Sequence, residues 1–176
     1  MRSASAVSGT ASEPTWSAGG EGEQLWFLGT LAIVRVPGEA VDGRFSLLEL
    51  VMPRHASPAL HTHPQDESYV VLEGLLTVKA GSERFQLGPG GAAVVPIGVP
   101  HTFRVDSETA RVLLVSTPAG IDRFVRDASV PARADAAALR RRATQPAGGR
   151  PYLPRARVYR SRTTARARGL IRGQSN

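Results

Sequence analysis

Apolar and polar positions along this chain change places in short runs, and breaks of Gly and Pro separate the runs. Leu25-Trp26-Phe27-Leu28 and Leu31-Ala32-Ile33-Val34-Arg35-Val36 are apolar and β-favouring, and Pro37-Gly38 ends the second. Phe45 to Met52 is the next strand candidate, closed by Pro53. Glu67 to Leu72 follows, with Glu73-Gly74 as a turn. Leu75 to Ala80 and Glu83 to Leu87 flank Gly81-Ser82, which predicts a hairpin. Gly88-Pro89-Gly90-Gly91 marks another turn before the short run Ala92 to Pro96. His101 to Val105 and Ala110 to Ser116 complete the series. A helical period enters only at Ile121 to Arg126, a short helix after Pro118-Ala119-Gly120. Short strands at regular spacing predict an all-β sandwich or barrel.

Length, charge and composition narrow this picture. At 176 residues the chain suits one domain with a real core. It has no cysteine, which removes disulfide and thiolate chemistry and is compatible with a reducing cytoplasm, the expected location. No apolar run is long enough to span a bilayer. The stretch from Met1 to about Glu23 is rich in Ser, Ala and Gly and lacks the apolar core of a secretory signal. The expected organisation is a disordered lead-in over 1–24, a barrel domain over 25–131 and a basic, disordered tail over 132–176.

The net charge of +7 belongs to that tail. Residues 132–176 carry twelve Arg against one acid, Asp135, for a net of +11, whereas residues 1–131 carry −4. Three readings of the tail stand side by side: a solvated extension, the out-of-frame product of GC-rich coding, and an arm for anionic partners. Twenty-one of the 22 basic residues are Arg, which fits the second; nucleic-acid binding ranks last of the three.

The candidate chemistry lies in His61-Thr62-His63-Pro64-Gln65-Asp66-Glu67 and in Pro96-Ile97-Gly98-Val99-Pro100-His101. Three of the four histidines fall in these two stretches. Residues two apart on a strand face the same way, so a strand here puts His61 and His63 on one face. Pro64-Gln65-Asp66 suits a turn that folds Glu67 back beside them. His101 arrives from a distant strand, its entry fixed by the preceding prolines and glycine. Three imidazoles and one carboxylate make a first shell for one divalent transition metal: Fe, Mn, Ni, Co or Zn. His55 reads as an exposed loop residue rather than a fifth ligand, and Asp66, next to Glu67 on a strand, faces solvent.

These residues resemble the two signature motifs of the cupin superfamily. In the first, G-x5-H-x-H-x3-E-x6-G, His61, His63, Glu67 and Gly74 match, and His55 stands where the leading Gly is expected. In the second, G-x5-P-x-G-x2-H-x3-N, Gly90, Pro96, Gly98 and His101 match, and Val105 replaces the terminal Asn. The segment between the motifs, 75–89, is short for the family, and the flanking strands extend the resemblance to about residues 25–127. The resemblance implies a double-stranded β-helix (jelly-roll) barrel followed by a short C-terminal helix, with His61, His63, Glu67 and His101 as metal ligands at one end. Trp26 to Thr30, Tyr69 to Gly74 and Ser116 to Gly120 look like small bacterial monocupins related to quercetin 2,3-dioxygenase.

That second resemblance implies a metal-dependent dioxygenase acting on a small aromatic or enol-bearing molecule, with Glu67 as candidate base and the protein as a homodimer. Two alternatives remain: a metal-assisted polyketide cyclase or isomerase that needs no O2, and a ligand-binding cupin without turnover. Tyr69, Phe103, Trp26 and Phe27 are candidates for the substrate pocket; at strand spacing Tyr69 and Phe103 serve equally well as core, and Trp26 and Phe27 either close the barrel or line its mouth.

Overall fold

The computed structural model describes residues 14–19 and 21–132. Within them the chain forms ten strands and one α-helix, in the order β1 (Glu23–Phe27), β2 (Thr30–Val36), β3 (Ser46–Pro53), β4 (Asp66–Glu73), β5 (Leu76–Ala80), β6 (Glu83–Leu87), β7 (Ala92–Val95), β8 (His101–Val105), β9 (Thr109–Thr117), α1 (Ile121–Asp127) and β10 (Val130–Pro131). A single 3-10 turn, Gly38–Val41, follows the Pro37-Gly38 break. The strands build two sheets: a seven-stranded one in the order β10-β1-β2-β3-β9-β4-β7, and a three-stranded one in the order β6-β5-β8. This is the expected all-β jelly-roll with one short helix. No described helix is long and apolar enough to cross a membrane.

β1 begins at Glu23, two residues before the expected start, because Glu23 and Gln24 pair with Val34 and Ile33. Arg35 reaches back to the segment before β1, donating to the Ala18 carbonyl at 3.1 Å and the Glu21 carbonyl at 2.5 Å. Residues 1–13 and 133–176, and with them most of the expected lead-in and tail, lie outside the described residues. The two-residue strand β10, which carries no apolar run of its own, is held by pairing with Leu25 and Trp26.

The core lies between the sheets. Alternation turns Leu48, Leu50 and Met52 of β3, Ala110, Val112 and Leu114 of β9, and Tyr69 and Val71 of β4 into one cluster with Leu76, Val78, Phe103 and Val105 of the small sheet. The register stacks this interior in layers. His101, Phe103 and Val105 lie opposite Ala80, Val78 and Leu76 respectively. Glu67, Tyr69 and Val71 follow the same two-residue step on β4. The polar pair His101 and Glu67 therefore forms one end layer, Phe103 and Tyr69 the layer beneath, and Val105 and Val71 the next. Val105, in place of the motif's Asn, is completely buried in this core.

Candidate metal centre

The segment carrying His61 and His63 is extended but is not a strand. It touches the small sheet through a single bridge, in which His61 N–H donates to the His101 carbonyl at 3.1 Å and His101 N–H donates back at 2.9 Å. Pro58 and Pro64 flank it, and neither can donate to a ladder, so pairing stops after one bridge. The two side chains nonetheless come together as the spacing predicts, with ring centroids 5.5 Å apart. Gly98 N–H donates to the His63 carbonyl at 3.3 Å, and Asp66 Oδ1 accepts from Ile97 N–H at 2.8 Å. The turn before His101 is thus tied to the first motif from both sides. Asp66 is exposed, as expected, but its carboxylate performs this tethering.

One nitrogen or oxygen from each of His61, His63, Glu67 and His101 lies within 4.8 Å of the others, a group that could hold a metal ion. Glu67 and His101 are buried, and His61 and His63 half-buried, so the cluster is open on the histidine side. The His61 and His63 rings stand 4.4 and 4.8 Å from that of His101. Each imidazole is oriented in the same way. Nδ1 of His61 contacts the Ala59 carbonyl at 2.8 Å, Nδ1 of His63 the Gln65 carbonyl at 3.1 Å, and Nδ1 of His101 the Val99 carbonyl at 2.8 Å. A carbonyl only accepts, so Nδ1 carries a proton in all three rings. Nε2 is left as the ligand atom, with the backbone contact fixing both tautomer and ring angle, the arrangement that metal-binding histidines use. The donor set fits a divalent transition ion on this ground.

Glu67 Oε2 is the centre of the cluster. It lies 2.7 Å from His101 Nε2, 3.4 Å from His63 Nε2 and 2.5 Å from the Tyr69 hydroxyl, which donates to it. Burial pushes the Glu67 pKa up, but the hydrogen bonds from His101 and Tyr69, with the nearby His101 and His63 charges, outweigh it and hold the carboxyl below its usual range. The same bond, donated to Glu67, raises the His101 pKa against the opposing effect of burial. Tyr69 is pushed far up by burial and by the Glu67 charge, so its hydroxyl keeps its proton.

The pocket candidates divide. Tyr69 and Phe103 meet edge-on at 5.8 Å directly beneath the cluster and form its floor. Phe27 packs against the core cluster and edge-on to Phe124 of α1 at 5.7 Å. Trp26 does not face the interior: it pairs with Leu31 and packs with Leu31, Ile33 and Val51 on the outer face of the large sheet. Adjacent strand residues face opposite sides, so Trp26 and Phe27 could never both line the barrel. Three strands also separate β1 from β4 in the sheet. His55 is exposed and lies outside the cluster.

Two inward hydroxyls escape a reading of histidines alone. Ser116 stands opposite Glu67 in the β4–β9 register, and its Oγ lies 2.8 Å from that of Ser46, both residues being fully buried. The signal was the inward series Ala110, Val112, Leu114 ending in a serine at the layer of the cluster.

The cupin domain family matches residues 47–116, the span that contains both motifs and all four cluster residues. Residues 47–116 thus carry a cupin domain. Quercetin 2,3-dioxygenase of Bacillus subtilis (strain 168) is 32% identical over 95 residues, which cover 53% of this chain and 28% of that protein. An uncharacterised protein of Streptomyces coelicolor is 43% identical over 56 residues, 32% of this chain and 53% of that protein. The chain thus spans less than two thirds of either curated relative. A solved RmlC-like cupin from Shewanella frigidimarina superposes with a TM-score of 0.55 over 62% of this chain and 96% of its own, at 18% identity, a likeness of fold.

Proposed function

We propose that His61, His63, Glu67 and His101 hold one divalent transition metal ion, and that the cupin is a dioxygenase of a small aromatic or enol-bearing substrate of the flavonol kind. The observation that carries the metal reading is the set of three Nδ1–carbonyl contacts, which leave Nε2 of each ring as the ligand atom in a four-residue group that includes one carboxylate. The dioxygenase reading is supported by the 32% identity to the Bacillus subtilis enzyme over 95 residues. A bound divalent ion supplies Lewis acidity, making an enol or phenol oxygen placed beside it more acidic. The chain's own residues supply the rest. Tyr69 and Phe103 close the floor of the site and exclude water from below. The half-buried His61 and His63 leave the approach open. Glu67, an ionised carboxylate in a buried position, is the group placed to accept a substrate proton at Oε2 once it is released from its neighbours.

Elemental analysis of purified protein beside a His61→Ala variant tests the metal. Wild type should carry close to one equivalent of a transition metal and the variant much less; equal contents sink the assignment. Oxygen consumption by metal-loaded protein across flavonols, catechols and diketones tests the chemistry. Turnover that persists without O2 would point to cyclisation or isomerisation at the same site, and tight ligand binding with no product to a cupin without turnover.

A further inference from the structure

We propose that Tyr69 is a positioning residue for the metal centre: its hydroxyl holds Glu67 Oε2 among the imidazole nitrogens, so that the carboxylate already occupies its ligand pose before an ion arrives. This rests on the reading of the four-residue cluster as a metal site. Tyr69 follows Glu67 by two residues on β4, so alternation places both on the interior face with the hydroxyl beneath the carboxylate. The hydroxyl donates to Oε2 at 2.5 Å. Tyr69 is 1% exposed and its ring is set edge-on against Phe103, so the hydroxyl cannot swing to solvent for another partner. Glu67 is 4% exposed, and water is a poor substitute donor there.

The other two contacts to Oε2 come from His63 and His101 Nε2, the atoms an ion would claim. A nitrogen that gives its lone pair to a metal has no proton to donate to Glu67. Of these three contacts, the one from Tyr69 alone survives loading.

The test is a double-mutant cycle read by metal affinity and by the visible absorption of the Co(II)-loaded protein. Tyr69→Phe removes one oxygen and keeps the ring; Tyr69→Met fills the same space without a hydroxyl, and circular dichroism of the metal-free variants reports their fold. Each should weaken Co(II) binding by about 10- to 100-fold, as loss of a hydrogen bond to a ligand does, and alter the Co(II) spectrum. In a Glu67→Gln background the same substitutions should cost no more than about twofold, because the effect passes through the carboxylate. If wild type binds Co(II) and the Tyr69 variants match it in affinity and spectrum, the positioning role is overturned and the metal site stands. An equal loss in both backgrounds overturns it too, since that is the mark of general packing. If wild type itself binds no metal, the site assignment falls and this inference falls with it.

Discussion

His55 adopts a left-handed backbone conformation, φ 68°, at the position where the first motif carries glycine. The glycine of the motif and the histidine of this chain thus meet the same demand from the turn. Histidine tolerates the left-handed region better than most residues, but its Cβ still costs roughly 1–2 kcal/mol there. Glycine would remove that cost and add about 0.5–1 kcal/mol of unfolded-state freedom. His55→Gly should therefore stabilise the protein by about 0.5–1 kcal/mol in urea unfolding, with metal content unchanged, since His55 lies outside the cluster. A loss of metal would instead make it a ligand. Gly74 illustrates the opposite case. Its φ is 86°, and a Cβ there would run into the Thr109 carbonyl, the Ser107 hydroxyl and Ala110 Cα, so only glycine fits. At this scale the sequence names the residue types well, but not the contacts that orient them. The backbone carbonyls that fix the three imidazoles belong to Ala59, Gln65 and Val99, whose side chains carry no hint of that role.

Strands transmit their alternation to both faces of the large sheet, and the outer face carries charge. Glu49 of β3 lies between Arg35 of β2 and Arg111 of β9: Arg35 Nε donates to it at 3.0 Å, Arg111 Nε at 2.7 Å, and Arg111 also reaches Glu73 of β4 at 2.6 Å. Burial raises the Glu49 pKa, but the two guanidinium groups outweigh it and hold the carboxyl below its usual range. A carboxyl depressed in the folded state adds stability above its unfolded pKa and loses that stability as pH falls through its folded value. Glu49→Gln should cost about 3 kcal/mol at pH 7, the low end for breaking a buried pair, because Arg111 remains partly exposed. On acidification below about pH 4.3 the unfolded chain takes up a proton that folded Glu49 still resists, so the wild type loses this stability progressively and the gap between the two proteins should narrow. Urea unfolding at pH 7 and pH 3 measures both gaps, and a gap that does not change with pH rules the carboxylate out as its source. Of this layer the strands were legible and the network was not. Runs such as Leu31 to Val36 declare a strand by composition, whereas the Arg35–Glu49–Arg111 contact depends on which strands become neighbours, and β3 pairs with β9 across more than fifty residues of chain.

Across the whole molecule, the cluster joins parts that the chain keeps far apart. Glu67 stands on β4 of the seven-stranded sheet, His101 on β8 of the three-stranded sheet, and His61 and His63 on the link between β3 and β4. The motif spacing made this convergence legible because Glu67 and His101 each stand at the start of a strand, β4 and β8, at the same rim of the barrel. The floor was less legible: the side-chain period says which of Trp26 and Phe27 shares a face with which neighbour, but not which face is interior, and that is settled by the β1–β2 register. An ion held by these four residues would clamp one sheet to the other in the folded state only. Such binding adds RT ln(1 + [L]/Kd) to stability, about 2.7 kcal/mol at a hundredfold excess over Kd. For a domain of this size that corresponds to a rise in Tm on the order of 10 °C. Thermal unfolding of metal-stripped protein should show this rise on adding Zn(II) or Ni(II), and a chelator should reverse it. His61→Ala, which removes a half-buried ligand and little core, should unfold at nearly the same temperature as metal-free wild type and gain little from either ion. A wild type whose Tm ignores both metal and chelator would mean that the four residues do not clamp the sheets through an ion, whatever their proximity.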